Sequence, residues 1–324
     1  MSEHFVIGFD LGGTKMLSAV LNEKNEIIAK VKRRTKGQEG NEEVVDTIID
    51  CIKESMKKAD IKKSDISGIG IACPGILNRD EGVLEHTPNL GFENFPLREK
   101  IQKKIDIPIL IENDVNAGTY GEFKHGAGKG FENVIGLFPG TGVGGGLILN
   151  GKLFIGAEGN AGELGHMIIQ VDGPLCGCGQ YGCLEALASR TAITKEAVAL
   201  SSAGNAPEMY EIAGTDFKDY RSKVFAKAIE KKSGPIIQVI KRSAWFMGIA
   251  MGNLVNILNP QGFILGGGLV EKLGNFYIDE AEKSMRDHCM PGMAKNVQVL
   301  EASLGDDAVF MGCASLVREY LEKQ

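Results

Sequence analysis

The chain has 324 residues, with 36 basic against 42 acidic side chains for a formal net charge of −6, and 43 glycines. That length makes one large domain or two smaller ones, the acidic balance speaks against a nucleic-acid partner, and 43% hydrophobic residues suffice for a real core. The longest uncharged apolar stretch, near Ala244 to Asn256, is too short to span a bilayer, and the start MSEHFVIGFD lacks a secretory signal, so a cytoplasmic protein without a membrane partner is expected.

Apolar, β-rich runs at Phe5 to Asp10, Met16 to Leu21 and Ile27 to Val31 predict a three-strand meander with a turn at Leu11 to Thr14. Glu42 to Ala59 carries Val44, Val45, Ile48, Ile49, Ile52 and Met56 at helical spacing. A strand at Ile66 to Ala72, a helix at Leu97 to Lys104 and a strand at Ile107 to Ile111 follow. The order then recurs. Strands at Val134 to Phe138 and Val143 to Leu149 flank a glycine turn; after helices that include Gly234 to Leu258 come a strand at Phe263 to Leu265, another helix and Val297 to Leu300. Two βββαβα units in α/β layers are expected, because long apolar strands among helices are covered on both faces. The small, polar segment Ser201 to Asp219 reads as a loop or lid edge. Residues 1–117 with the C-terminal helix (308–324) are expected as a small N-terminal domain, and 118–307 as a large one.

Two glycine clusters sit between strands. In Asp10-Leu11-Gly12-Gly13-Thr14-Lys15 the missing side chains let backbone N–H groups approach a phosphate, Thr14 adds a hydroxyl, and Asp10 can hold a hydrated divalent cation such as Mg²⁺. A plain hairpin needs no Asp and Thr around its glycines. Gly140-Thr141-Gly142-Val143-Gly144-Gly145-Gly146 occupies the same place in the second unit, and two phosphate loops suit a nucleoside triphosphate better than one. No G-x-x-x-x-G-K-[ST] loop occurs. Gly266-Gly267-Gly268 reads equally as a surface for adenosine or as a crowded strand-to-helix turn. Asn113 and Asp114 stand where a strand end opens into a helix; Asp114 can act as a general base on a hydroxyl with Asn113 bonding a neighbouring one, or the two can simply cap the helix.

Seven cysteines, three of them in Cys176-Gly177-Cys178-Gly179-Gln180-Tyr181-Gly182-Cys183, do not make a secreted disulfide framework. C-x-C-x4-C among glycines can aim three thiolates at one ion, and His166 completes a closed tetrahedral, hence structural, Zn²⁺ site. The remaining cysteines, Cys51, Cys73, Cys289 and Cys313, lie in apolar contexts and are expected to pack in the core. Glu163 and Glu185 bracket the knuckle; they can accept vicinal sugar hydroxyls or be ordinary surface or capping glutamates.

Together, Asp10-x-Gly-Gly-Thr-Lys15, Glu112-Asn-Asp-x-Asn116, Gly140-Thr-Gly-x-Gly-Gly-Gly146, Glu163-x-Gly-His166 and Cys176-x-Cys-Gly-x-x-Gly-Cys-x-Glu185 resemble the ROK family of repressors, open reading frames and sugar kinases. The resemblance runs from Asp10 to Gly268 and implies an actin-like, ribonuclease-H-like fold of two domains with ATP in an interdomain cleft. It implies that Asp114 is the catalytic base and that Gly75, Asn89, Asn113, Glu163, His166 and Glu185 bind the sugar. ATP with Mg²⁺ is assigned to Asp10, Gly12, Gly13, Thr14, Lys15, Gly140, Thr141, Gly142, Gly144, Gly145, Gly267 and Gly268. Family repressors carry an extra DNA-binding domain before the first phosphate loop, which here starts at Asp10, so the kinase branch is expected. The implied reaction is phosphorylation of a hexose at its 6-hydroxyl by a homodimeric enzyme. Glucose is the commonest implied acceptor; mannose, fructose, N-acetylglucosamine and N-acetylmannosamine are alternatives, as are polyphosphate for the donor and a non-catalytic sugar-binding regulator for the function.

Overall fold

The expected meander forms at the start of the chain. β1 (Phe5–Leu11), β2 (Lys15–Leu21) and β3 (Ile27–Arg34) pair antiparallel, and β4 (Ile66–Cys73) and β8 (Ile109–Asn113) add to the other side of β1 in parallel. The computed structural model describes residues 4–35, 40–87 and 90–323. Between β4 and β8 the chain makes a separate antiparallel sheet of β5 (Ile76–Asn78), β6 (Val83–Thr87) and β7 (Phe92–Phe95). These short strands carry no clear alternation and were not expected from the sequence.

The second half repeats the pattern with β9 (Val134–Pro139), β10 (Val143–Leu149), β11 (Lys152–Leu153), β12 (Gly262–Leu265) and β13 (Gln298–Glu301). Its order, β11-β10-β9-β12-β13, is that of the first sheet, β3-β2-β1-β4-β8. The two βββαβα units are therefore real, and the chain has the actin-like, ribonuclease-H-like fold. It divides into two compact units. One takes in the chain up to Gly130, Leu153–Ala161 and everything from Leu304 onward; the other is Phe131–Lys152 with Gly162–Ser303.

In the first unit, the helix Asn41–Lys58 lays Val44, Val45, Ile48, Ile49 and Ile52 into the core around β1 and β4. The C-terminal helix Ala308–Leu321 also packs in this unit, directly on β1 and β4. Glycines make that approach possible. A Cβ on Gly8 of β1 would lie 2.0 Å from the Phe310 carbonyl oxygen, and one on Gly312 would lie 1.8 Å from the Ala117 oxygen in the helix Asp114–His125. The helix that opens at Asp114 is thus held against the C-terminal helix backbone to backbone.

In the second unit, the 25-residue helix Gly234–Leu258 forms over the whole expected span, with Pro235 in its first turn and left-handed Asn259 ending it. The stretch read as a loop at Ser201 to Asp219 instead contains the helix Glu208–Ala213, anchored by the fully buried Met209, and a short 3₁₀ turn at Phe217–Asp219. A few apolar contacts, Ala206, Met209 and Ile212, in a small, polar segment are too few to show a period. No helix among the described residues is long and apolar enough to cross a membrane.

Candidate functional site

Asp10, Ala72 and Glu112 are neighbours across β1, β4 and β8, and Cys73 pairs with Asn113 one step further on. These are the carboxyl ends of three adjacent parallel strands, where an open α/β sheet presents its ligand site. The loop after β1 is tied down by a Gly12 N–H bond to the Lys15 oxygen at 3.0 Å and by Thr35, whose hydroxyl donates to the Gly12 oxygen at 2.6 Å. Gly13 and Thr14 form its exposed tip. Lys15 pairs at the surface: its Nζ lies 2.6 Å from Asp306 Oδ1, just before the C-terminal helix.

Asp10 pays for its position. Burial and the neighbouring Asp114 carboxylate push its pKa up to about 7, against the opposing charge of Lys15 and with a further push from Asp306.

Asn113 is the N-cap of the helix Asp114–His125, accepting the N–H groups of Val115 and Asn116 at 2.9 and 3.1 Å. Its Nδ2 donates to the Gly75 oxygen at 3.3 Å. The capping reading is therefore right for its oxygen, while the amide group still has a second N–H to offer a ligand. Asp114 opens the helix and takes the Val115 N–H on Oδ1 at 2.9 Å. Gly75 has φ +92°, and a Cβ there would lie 2.2 Å from the His86 oxygen, so only glycine fits the turn that Asn113 grips.

Beneath this corner lies a pair that sequence reasoning missed. Arg79 Nε donates to both oxygens of buried Glu112 at 2.9 Å, and its Nη2 also bonds Oε1. Glu112 Oε1 in turn accepts the Asn113 N–H at 2.8 Å and the Asn116 side-chain N–H at 3.2 Å. The pair fixes Asn113 and Asn116, on either side of Asp114. Thirty-three residues separate the partners, so no local spacing announces them.

In the second unit, the turn is narrower than the glycine run suggests. Gly140, Thr141 and Gly142 make it, closed by a Gly140 N–H bond to the Gly142 oxygen at 2.8 Å, whereas Gly144 and Gly145 lie in β10 opposite Phe138 and Leu137. Gly145 serves close packing: a Cβ there would lie 2.5 Å from the Leu164 side chain. The neighbouring Gly165 would similarly meet the Val143 oxygen at 2.0 Å, so the strand backbone sits against the segment that carries Glu163 and His166. Both of those side chains are exposed. At the end of β12, Gly266 is crowded by the Phe138 ring and Ala302, as the strand-to-helix reading requires, while Gly267 takes φ +76° beside Pro139 and Gly268 meets only Ser222 Oγ, at 3.5 Å.

The knuckle residues converge. One ligand atom from each of His166, Cys176, Cys178 and Cys183 lies within 4.8 Å of all the others. The Cys178 and Cys183 sulfurs are 3.7 Å apart, as are Cys176 Sγ and His166 Nδ1. Tetrahedral bonds of about 2.3 Å to sulfur separate two ligand sulfurs by about 3.8 Å, so the spacing fits a zinc ion. All are free thiols, and their 3.7 Å separation is well outside disulfide length. Burial pushes the Cys176 thiol up to about 12, while the Gln180 backbone lowers that of Cys178. Glu185 reaches both neighbours: Oε2 accepts the Val143 N–H at 3.1 Å, and Oε1 takes the Cys176 thiol at 3.5 Å. Cys51, Cys73 and Cys313 are buried as expected, and Cys289 is half-buried. Asn89 lies outside the described residues.

The ROK family model matches residues 6–320. The chain belongs to the ROK family. Among ROK proteins, it is 32% identical over 323 residues to the glucokinase of Halalkalibacterium halodurans, covering 98% of this chain and 96% of that one. It is 33% identical over 312 residues to the xylose repressor of Caldicellulosiruptor bescii, a match that takes in 96% of this chain and 77% of the repressor. The solved ROK family glucokinase from Streptomyces griseus, in complex with glucose and AMPPNP, superposes with a TM-score of 0.83 at 30% identity, covering 97% of this chain and 99% of that one.

Proposed function

We propose that this ROK chain is an ATP-dependent hexose kinase that transfers the γ-phosphate to the 6-hydroxyl of glucose. The observation that carries the reading is the Asp114 carboxylate at the first turn of its helix, flanked by the anchored Asn113 and close enough to Asp10 to raise its pKa. The full-length similarity to glucokinases supports glucose as the acceptor.

Asp114 accepts the proton of the sugar hydroxyl as that oxygen forms its bond to the γ-phosphorus. The bond from that phosphorus to the β-phosphate bridging oxygen breaks, and ADP leaves with the bonding pair. Gly75, Asn113, Glu163, His166 and Glu185 are its sugar ligands in this reading, with Asn89 carried alongside them. The tip of the Gly12–Thr14 loop and the Gly140–Gly142 turn offer backbone N–H groups to the phosphates, where positioning does most of the catalytic work. Mg²⁺ arriving with ATP would lie against Asp10, a carboxyl crowded enough by its neighbours to be relieved by a cation.

His166, Cys176, Cys178 and Cys183 would hold a zinc ion that ties the knuckle together and orients the imidazole. With His166 Nδ1 facing the thiols, Nε2 is the nitrogen left for a sugar hydroxyl.

A coupled ADP-release assay over glucose, mannose, fructose, xylose, N-acetylglucosamine, N-acetylmannosamine and no sugar tests the reading. Glucose is expected to give the highest kcat/KM. Sugar-independent ADP release, or binding of sugar without turnover, would overturn it, and the second outcome would favour the regulator reading that the xylose repressor similarity supports.

A further inference from the structure

Arg190 begins the helix Arg190–Ser202, whose N-cap is Ser189. That helix start is stitched to the second glycine turn. The Arg190 backbone N–H donates to the Gly140 oxygen at 2.8 Å, and the Thr191 hydroxyl donates to the Thr141 oxygen at 2.7 Å. The Arg190 guanidinium comes round to the same turn, with Nη2 donating to Thr141 Oγ1 at 2.6 Å. Thr141 accepts from the arginine, so its own hydroxyl proton remains available for an acceptor oxygen.

A second arginine joins it. Arg221 precedes the helix Ser222–Glu230, and Thr194 of the Arg190 helix donates to the Tyr220 oxygen at 3.2 Å, which ties the segments together. Ser222 in turn is the residue that meets Gly268. The two glycine turns follow β9 and β12, which are neighbouring parallel strands. Arg190 thus borders one turn, and Arg221 is adjacent in sequence to the residue bordering the other.

Neither arginine has a carboxylate partner among the described residues, although acidic side chains outnumber basic ones 42 to 36 in this chain. Their charges interact: after burial, Arg221 is the cause that lowers the Arg190 pKa. Two guanidinium groups near enough for their charges to interact, one of them held on a glycine turn, are complementary to an anion. A guanidinium is well matched to phosphate, because its planar fork can meet two oxygens at once.

Resting on the kinase reading, we propose that Arg190 and Arg221 bind the phosphate chain of the donor and so help to set which donor the enzyme accepts. The shared chemistry is a run of phosphates, supplied either by a nucleoside triphosphate or by inorganic polyphosphate. Arg190 also positions the Thr141 hydroxyl, whereas Arg221 acts on the phosphates only.

The test is isothermal titration of the wild type, Arg190→Lys, Arg190→Ala and Arg221→Ala with Mg²⁺·ATP, inorganic tripolyphosphate and adenosine, alongside steady-state kinetics with each donor. Each alanine variant is expected to bind ATP and tripolyphosphate about tenfold or more weakly, the loss of a charge-assisted hydrogen bond, and to raise the donor KM in step. Adenosine affinity and glucose KM should hold, and Arg190→Lys should recover part of the loss. Polyphosphate-driven glucose phosphorylation would identify an inorganic donor; turnover with ATP alone would identify the nucleotide. Triphosphate affinity within twofold of wild type in Arg221→Ala would overturn the proposal, as would equal losses for adenosine and ATP, which signal a collapsed site. The titrations need no transfer to occur. If the chain fails to phosphorylate any sugar while the variants still lose triphosphate, the kinase reading falls and the arginine site stands.

Discussion

Glu185 joins the cysteine knuckle to the second glycine turn: its Oε1 takes the Cys176 thiol at 3.5 Å while its Oε2 holds the Val143 N–H at 3.1 Å. A Cβ on Gly142 would stand 2.2 Å from that same Oε2, so the carboxylate and the turn cannot shift independently. Loosening the knuckle should therefore be felt at Glu185.

Metal analysis is expected to find about one zinc per chain, since four protein ligands close one site. Cys178→Ser is the informative variant because that thiol is exposed and its loss opens no core cavity. It should lose most of its zinc and raise the glucose KM about tenfold or more, the usual scale when support for a metal site is removed. Stoichiometric zinc with an unchanged KM in this variant would refute the coupling, and a fully active metal-free protein would refute the site.

Asp114→Asn should keep the helix cap, because the capping oxygen belongs to Asn113. It removes the proton acceptor and, with it, the charge that helps to raise the Asp10 pKa. The turnover number is expected to fall by about 10² to 10⁴-fold, the range for a lost general base, with glucose affinity by titration within a few-fold of wild type. Near-normal turnover would sink the assignment of the base.

How much of this was legible beforehand follows from what makes each feature local. The clustered glycines at Gly12–Gly13 and Gly140–Gly142 announce themselves because several adjacent missing side chains have few purposes, and the knuckle does so because its thiols share one short segment. Isolated glycines such as Gly8, Gly165 and Gly312 carry no such signal. Each answers to a backbone oxygen supplied from elsewhere in the chain, at Phe310, Val143 and Ala117 respectively. The Arg79–Glu112 pair and the Arg190–Thr141 bond were hidden for the same reason, and the β5–β7 sheet because its strands are too short to show a period.

Asp10 gives the unliganded protein a specific pH dependence. Its native pKa of about 7 lies above the 3.8 of an unperturbed carboxyl, so the folded state holds this proton more tightly than the unfolded one. The contribution is most favourable below the unfolded value and is lost as pH rises through about 7. The slope for this half-buried group is at most about 1.4 kcal/mol per pH unit. Urea unfolding of wild type and Asp10→Asn at pH 5, 6, 7 and 8 isolates it. The asparagine variant should gain stability relative to wild type as pH rises, and saturating Mg²⁺·ATP should shrink the difference. A constant difference across the series would show that Asp10 is not the group responsible.

Arg79→Met removes one half of a buried ion pair and leaves the Glu112 carboxylate, still bonded to the Asn113 N–H and the Asn116 amide, without its cation. Breaking such a pair from one side costs about 3–5 kcal/mol, because the remaining charge is stranded in a poorly polarisable interior. Replacing both partners removes that charge, so Arg79→Met with Glu112→Gln should unfold at a higher urea concentration than Arg79→Met alone, a non-additivity expected of residues in one network. The two variants should still differ from wild type in turnover. Glu112 bonds the residues on both sides of Asp114, and the double variant lacks the carboxylate that aligned them. Stability would then recover in part while kcat stays low, separating the pair's work in holding the fold from its work in aiming the base; recovery of both together would assign the pair to stability alone.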